Sequence, residues 1–238
     1  MSGERYYLEP ELYDIVYGDI VADVAPYVEL LRGARGPRLE VACGNGRLLV
    51  PVLQAGIACD GLDRDAHMLA NLREKLAARS LEATLYQDDM RDFSLPRRYA
   101  IITIAFNSFL HNLTQADQLK TLRCIRHHLE VGGRLAMNVF HPSVEKLMKW
   151  SGVEQLRRMT RRIEFLTAAG DVTRQEVVTF DLRYIWKPEM ELLLRVAGFS
   201  RWEARPLFTD HAATAVGSAP LDRPIQEGDI VQWTAWKD

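Results

Sequence analysis

Two glycines in one short stretch, and one aspartate after them, carry the clearest chemical signal in the chain. The stretch is Glu40-Val41-Ala42-Cys43-Gly44-Asn45-Gly46, and Asp63 follows Gly46 by seventeen residues. Glycines let a backbone turn sharply and approach a ligand closely. An apolar run from Arg38 to Ala42 leads into the loop, and a helical pattern from Arg47 to Ala55 leads out of it. Such a helix points free N–H groups and its positive dipole end into the space above the loop. A second short run, Ile57 to Leu62, ends at Asp63. A carboxylate placed there can accept hydrogen bonds from both hydroxyls of a ribose. This is not the dinucleotide fingerprint, because the third glycine of Gly-x-Gly-x-x-Gly would fall at position 49, which is Leu49. An NAD dehydrogenase is therefore disfavoured. No Gly-x-x-x-x-Gly-Lys phosphate loop occurs.

Two histidines are placed to handle protons. His111 comes after the apolar run Tyr99 to Phe106, and His141 after Arg134 to Phe140. Imidazole titrates near neutrality and can take a proton from a hydroxyl or an amine. Each has a plainer alternative, and His111 could simply bond a backbone carbonyl. His127 and His128 sit late on a helix, where they favour its dipole, and are given no chemistry. Tyr13 and Tyr17 are four residues apart and share one helix face. Either could bond a ligand carboxylate, line an acceptor pocket, or pack on the core.

The elements that position these residues follow from periodicity. Asp65 can cap a helix with Leu69, Leu72 and Leu76 on one face. Ala83 to Gln87 reads as a third strand and Tyr99 to Phe106 as a fourth. Thr114 and Asp117 make a capping box before a helix carrying Leu119, Leu122, Ile125 and Leu129, which Gly132-Gly133 should stop. Arg134 to Phe140 is the fifth strand. Alternating strands and helices with near-continuous apolar strands predict an α/β fold: a doubly wound, Rossmann-like, mostly parallel sheet with helices on both faces. From Ser143 to Trp186 the rhythm changes to period two on either side of Ala168-Ala169-Gly170-Asp171, which predicts a small antiparallel insertion after strand five. Its Phe180, Tyr184 and Trp186 are expected in that hairpin's own core. Pro188 opens a helix ended by Gly198, Phe199 to Pro206 and Gly228 to Trp236 are further strands, and Asp210 to Glu227 reads as loop. Four segments result: 1–36 as an N-terminal helical lid, 37–142 as the core, 143–187 as the antiparallel insertion and acceptor-pocket wall, and 188–238 as the C-terminal helix and strands that complete the sheet.

Bulk properties exclude some partners. The 238 residues are 47% hydrophobic and 26% charged, ordinary for a chain that buries one sizeable core. A formal net charge of −2 gives no electrostatic footprint for nucleic acid or an anionic membrane. The clusters Arg97-Arg98 and Arg157-Arg158 with Arg161-Arg162 read as solvated faces with a few ion pairs. Cys43, Cys59 and Cys124 are too widely spaced for a disulfide framework or a Cys-x-x-Cys metal site, which suits a reducing cytoplasm. No signal-peptide core is present, and no apolar run approaches the roughly 20 residues that span a bilayer. Monomer and homodimer both remain open.

The chain resembles the class I S-adenosylmethionine-dependent methyltransferases, in particular the bacterial small-molecule branch that includes sugar N-methyltransferases. The resemblance runs through Leu-Glu-Val-Ala-Cys-Gly-Asn-Gly, Gly-Leu-Asp-Arg-Asp-Ala-His-Met-Leu, Gln-Asp-Asp-Met-Arg-Asp-Phe, Ala-Phe-Asn-Ser-Phe-Leu-His and His-Leu-Glu-Val-Gly-Gly-Arg-Leu, in that order, over roughly residues 6 to 142. It implies that Glu40 and the backbone of Ala42, Cys43, Gly44 and Gly46 hold the methionine end of S-adenosyl-L-methionine. Asp63 would hold the ribose, with Arg64 and Met68 beside the adenine. Asp89 would accept the adenine amino group, Met90 would cover the ring, and Ala105 and Phe106 would line the floor near the sulfonium. Ala42 stands where many members of the family have glycine and Asp88 where glycine is usual, and Asp88 could be a surface carboxylate without a role. The resemblance also makes the N-terminal helix, with Tyr13 and Tyr17, part of a lid over the cofactor.

The reaction so implied is an in-line methyl transfer to a small-molecule oxygen or nitrogen, leaving S-adenosyl-L-homocysteine. The protein then mainly supplies orientation, worth about 7–11 kcal/mol. A base, His111 or His141, is needed only if the acceptor arrives protonated. Asn107-Ser108 lacks the Pro-Pro of base-modifying and amide-modifying relatives. Phe106-Asn107 lacks the carboxylates of metal-dependent ones, so no metal is expected. The alternatives are a non-catalytic cofactor-binding or partner-binding module, or another transferase on the same scaffold, such as an aminopropyltransferase.

Overall fold

A computed structural model describes residues 9–143, 155–209, 224–226 and 229–238. The chain opens with helices α1 (Pro10–Tyr17) and α2 (Val24–Arg32) and then enters the sheet. There β1 (Arg38–Val41), α3 (Leu49–Gln54), β2 (Asp60–Asp63), α4 (Ala66–Ala77), β3 (Leu85–Gln87) and β4 (Tyr99–Ile104) alternate. After a 3₁₀ turn at Ser108–His111 come α5 (Gln115–His128), β5 (Leu129–Phe140), the strands β6 (Leu156–Leu166) and β7 (Val172–Arg183), α6 (Lys187–Ala197), β8 (Arg201–Thr209) and β9 (Asp229–Trp236).

Seven strands form one sheet in the order β3-β2-β1-β4-β5-β9-β8, and β6 and β7 form a second sheet of two. The first five are parallel, while β9 runs antiparallel between β5 and β8. The fold is α/β with a doubly wound, mostly parallel sheet. Period two sorts its strands between two cores. Leu39, Val41, Ile102, Ile104, Leu135 and Met137 face one side, whereas Ile101 and Ala136 face the other with Leu49, Leu69 and Leu72. Each such buried aliphatic side chain contributes roughly 1.5–3 kcal/mol.

The chain lays strands outward from β1 to β3 and then returns to β4 and β5 on the other side. The connections above β1 and β4 therefore diverge and leave a crevice at their carboxyl ends. Asp65 caps α4 by accepting from His67 N and Met68 N, both at 2.9 Å. Thr114 caps α5 by accepting from Asp117 N at 3.1 Å.

Several boundaries differ from the sequence reading. The helix after the glycine loop begins at Leu49 rather than Arg47 and is six residues long. The helix before strand five ends at His128, not at Gly132-Gly133, and β5 starts at Leu129. The glycine pair instead serves an irregularity inside the strand: a Cβ on Gly133 would lie 2.9 Å from Glu130 O and 3.0 Å from Tyr99 O, where the β4–β5 register shifts. The hairpin turn falls where the Gly170 motif predicts it. Trp186 stands at the N-cap of α6 rather than in a strand. Apart from 224–226, the loop expected over Asp210 to Glu227 lies outside the described residues. Among the described residues no helix is long and apolar enough to cross a membrane.

Candidate active site

The crevice above β1 and β4 is a cavity of about 300 Å³. Its floor begins with β1, whose last buried residues deliver Glu40 to the rim. The chain then turns through Ala42 with a φ of 58° and Gly44 with a φ of 53°. That conformation costs a non-glycine residue about 1–3 kcal/mol and persists only where the surroundings enforce it. Here Cys43 N bonds Leu62 O at 3.0 Å, which ties the turn to β2. A Cβ added to Gly44 would meet nothing within 4 Å, so the backbone there faces open space. Gly46 does not border the cavity. A Cβ on it would lie 2.4 Å from Leu72 Cδ1 and 2.8 Å from Val50 Cγ2, so this glycine serves packing beneath the loop.

Two buried acids flank the turn. Glu40 is 4% exposed and its Oε2 has no hydrogen-bond partner. Burial pushes its pKa well above the usual carboxylate range, against the pull of Arg47. Asp63 Oδ2 accepts from Gly44 N at 2.7 Å and Oδ1 from Asp65 N at 2.9 Å. Burial raises its pKa too, opposed by those two N–H groups. Each Asp63 oxygen keeps a second lone pair for a hydroxyl donor. Arg47, which sequence reasoning missed, makes a bidentate pair with buried Asp23 at 2.7 Å and lies 4.1 Å over the Phe106 ring.

The opposite rim is also built from left-handed residues. Phe106 and Asn107 have φ of 56° and 63°. Asn138 on β5 enforces them: its Oδ1 accepts Phe106 N at 2.8 Å, and its carbonyl accepts Asn107 N at 3.2 Å. Asn107 Oδ1 in turn accepts Phe140 N at 2.7 Å. These braces cross-link the ends of β4 and β5, and they place Ala105 and Phe106 on the cavity wall.

The other expected residues gather around the same space. Tyr13, Tyr17, Cys43, Arg64, Met68, Asp89, Met90, His111 and His141 all border it. The Tyr13 and Tyr17 rings lie 4.8 Å apart, and Tyr17 meets Phe106 edge-on at 5.3 Å. The Asp89 carboxylate is gripped by Arg91 at 2.8 and 2.7 Å, and that bond holds its pKa below the usual range. Asp88 borders the cavity as well, and it has structural work: it accepts Asp89 N at 2.8 Å.

His111 opens onto the cavity from the 3₁₀ turn, 5.6 Å from the Phe180 ring. Surrounding protein pushes its pKa down to about 4, with help from Arg64. The ring is therefore neutral at pH 7 and offers one nitrogen as acceptor. His141 is half-buried; its backbone N–H donates to Asp229 O at 2.7 Å and its ring meets Trp186 edge-on at 5.9 Å.

The hairpin closes one side, and one sequence expectation about it is corrected. Phe180 borders the cavity instead of filling a separate hairpin core, whereas Tyr184 and Trp186 do not border it. Arg157 and Arg161 also border it, although Arg158, Arg161 and Arg162 are exposed as expected and Arg158 pairs with Asp181. The signal for both was the strand alternation, read together with the partner strand. The hairpin base is locked by buried Arg183, which donates at 2.7 Å to each of Gln118 Oε1, Gln155 Oε1 and Glu189 Oε1.

Comparison with known proteins supplies the chemical context. A family profile described as "Methyltransferase domain" matches residues 39–133. The dTDP-3-amino-3,4,6-trideoxy-alpha-D-glucopyranose N,N-dimethyltransferase of Streptomyces venezuelae is 29% identical over 178 residues, 70% of this chain and 73% of that protein. The dTDP-3-amino-3,6-dideoxy-alpha-D-glucopyranose N,N-dimethyltransferase of Streptomyces fradiae is 37% identical over 45% of this chain and 43% of its own. The crystal structure of the glycopeptide N-methyltransferase MtfA complexed with (S)-adenosyl-L-methionine matches with a TM-score of 0.65 at 25% identity. It covers 90% of this chain and 87% of that one.

Proposed function

We propose that this chain, a class I S-adenosylmethionine-dependent methyltransferase acting on a small-molecule acceptor, methylates the amine nitrogen of an amino sugar. Its two curated relatives above are named for that chemistry, which is the observation that favours nitrogen over oxygen, and His111 on the cavity wall fits it. A hydroxyl is too weakly acidic to attack without a strong base, and an imidazole with a pKa pushed down to about 4 is a weak one. A neutral amine needs no such base.

The residues present fit the cofactor. The unpartnered Glu40 Oε2 suits an ammonium, the open face of Gly44 suits close approach of a ligand, and Asp63 has lone pairs for two hydroxyls. In this reading Glu40 and the Ala42–Gly44 backbone hold the methionine end, and Asp63 holds the ribose. Met68 and Met90 cover the adenine, which Arg64 flanks; Asp89, already bound to Arg91, borders its edge. The cofactor supplies an electrophilic methyl group on a good leaving group. Phe106 and Ala105, fixed by Asn138, give the floor a rigid shape, and Tyr13, Tyr17 and Phe180 exclude water above it. His111 accepts a hydrogen bond from the acceptor N–H, which aims the nitrogen lone pair. After transfer it passes the proton to cavity water, since its own low pKa prevents it from keeping one. His141 is the second histidine that borders the cavity. The α1 helix and the hairpin act as the two walls of a lid. Three free cysteines fit a cytoplasmic setting.

Transfer of labelled methyl groups to a panel of amino sugars, hydroxy sugars and thiols tests this. Label entering amines alone is expected. Label entering only hydroxyls overturns the nitrogen assignment, and no transfer despite cofactor binding returns the binding-module alternative.

A further inference from the structure

Helix α2 acts on the cavity floor without bordering the cavity. Asp23 at its N-cap and Tyr27 one turn later share one face of the helix, and both are 0% exposed. Neither borders the cavity. Asp23 makes no side-chain bond to the amides of its own helix, the usual task of an acid at that position. It grips Arg47 instead through two bonds of 2.7 Å, and the guanidinium so held lies 4.1 Å over the Phe106 ring. Tyr27 reaches the same residue by another route. Its hydroxyl donates to Asn138 Oδ1 at 2.9 Å, and that oxygen also accepts Phe106 N at 2.8 Å. Burial pushes the Tyr27 pKa well above its usual value, so the hydroxyl keeps its proton and donates.

Two chains of contact, one to the ring and one to the backbone, thus run from one helix face to Phe106. A bulky residue at a φ of 56° is strained by about 1–3 kcal/mol and relaxes unless its surroundings hold it. Asn138 Oδ1 spends both lone pairs on its two donors, whereas Nδ2 has no partner among the described residues. Without the Tyr27 hydroxyl, the bond to Phe106 N alone would fix that amide. We propose that Asp23 and Tyr27 are positioning residues for methyl transfer: α2 clamps Phe106 by ring and backbone at once and so sets the floor on which donor and acceptor are aligned. Displacements of a fraction of an ångström in such a floor cost rate, because the reacting atoms must meet in line. In this account α2 belongs with the floor and α1 alone with the lid. The inference rests on the methyl-transfer reading, which gives Phe106 a reaction to align.

The test compares Tyr27→Phe and Asp23→Asn with the control Tyr99→Phe, all in the full chain. Tyr99 is also fully buried, and its hydroxyl donates to Asp60 Oδ2 at 3.0 Å at the far end of β4. With S-adenosyl-L-homocysteine bound, amide exchange at Phe106 read by NMR should speed up about fivefold in Tyr27→Phe, the worth of one hydrogen bond, and keep the wild-type rate in Tyr99→Phe. In Tyr27→Phe, kcat should fall about tenfold while acceptor KM and affinity for S-adenosyl-L-homocysteine stay unchanged. Asp23→Asn should lower kcat likewise; if it does not fold, Tyr27→Phe decides alone. Adding Tyr27→Phe to Asn138→Ala should cost no further activity, because the hydroxyl acts through that amide. Exchange at Phe106 that ignores Tyr27→Phe, or that Tyr99→Phe raises as much, overturns the clamp. So does wild-type kcat in either folded variant, a full further loss in the double variant, or affinity for S-adenosyl-L-homocysteine that falls with kcat. A wild-type chain that methylates no amine removes the amine reading, and the exchange rates then judge the clamp by themselves.

Discussion

The Asp63 carboxylate accepts the backbone N–H of Gly44 at 2.7 Å. The turn after β1 and the acid at the end of β2 are thus one rigid unit before any ligand arrives. A ligand that bonds Asp63 is automatically placed against the glycine turn. Asp63→Ala removes both the proposed ribose acceptor and the brace. S-adenosyl-L-homocysteine should bind it at least tenfold more weakly by calorimetry, in line with charge-assisted hydrogen bonds of about 1.5–3 kcal/mol. Unchanged affinity refutes the ribose role.

The two loop glycines should fail differently. Gly46→Ala drives a Cβ into Leu72 and Val50 at a φ of +93°, and overpacking of that kind costs about 1–3 kcal/mol. For a chain of this size that lowers the melting temperature by roughly 2–4 °C per kcal/mol. Gly44→Ala, at a φ of +53° with open space around it, should affect the melting temperature less and cofactor affinity more. The reverse pattern contradicts the placement of the cofactor over Gly44.

Much of this arrangement is legible in the residues and some is not. The β-α rhythm, the caps at Asp65 and Thr114, and the loop before Asp63 are visible because they are local. The left-handed pair Phe106-Asn107 is not, because Asn138, 32 residues on from Phe106, holds it. The place of the hairpin arginines is hidden for a related reason. Residues 156–166 carry charge on both faces, and only the register with β7 reveals that Arg157 and Arg161 stand opposite Leu182 and Val178. Gly132-Gly133 looked like a helix stop because a strand irregularity has the same composition as a terminator.

His111→Gln should lower kcat/KM by about fivefold, the worth of one positioning hydrogen bond of about 1 kcal/mol, and leave cofactor affinity intact. The pH dependence of stability has a definite sign. The folded His111 pKa lies near 4, below its ordinary value of 6.5, so the unfolded chain binds the extra proton first. Stability due to neutral His111 is full above pH 6.5 and is lost as pH falls toward 4. Chemical denaturation at pH 5 should therefore find His111→Gln closer to wild type than at pH 7. Turnover unaltered by the substitution removes His111 from the chemistry.

Arg183 ties the hairpin base to α5 and α6 through Gln118 and Glu189. Arg183→Met leaves Glu189 without its buried cation, a change that costs about 3–5 kcal/mol in such pairs. A large drop in melting temperature and faster amide exchange in β6 and β7 are expected. Wild-type exchange in the hairpin would show that the lock does not hold it.

The most direct measurement is a crystal structure of the full chain with S-adenosyl-L-homocysteine. The ribose hydroxyls should lie on Asp63 and the amino group within hydrogen-bond distance of Glu40 Oε2. A ligand bound elsewhere, or one whose ribose and amino group touch neither acid, contradicts the account.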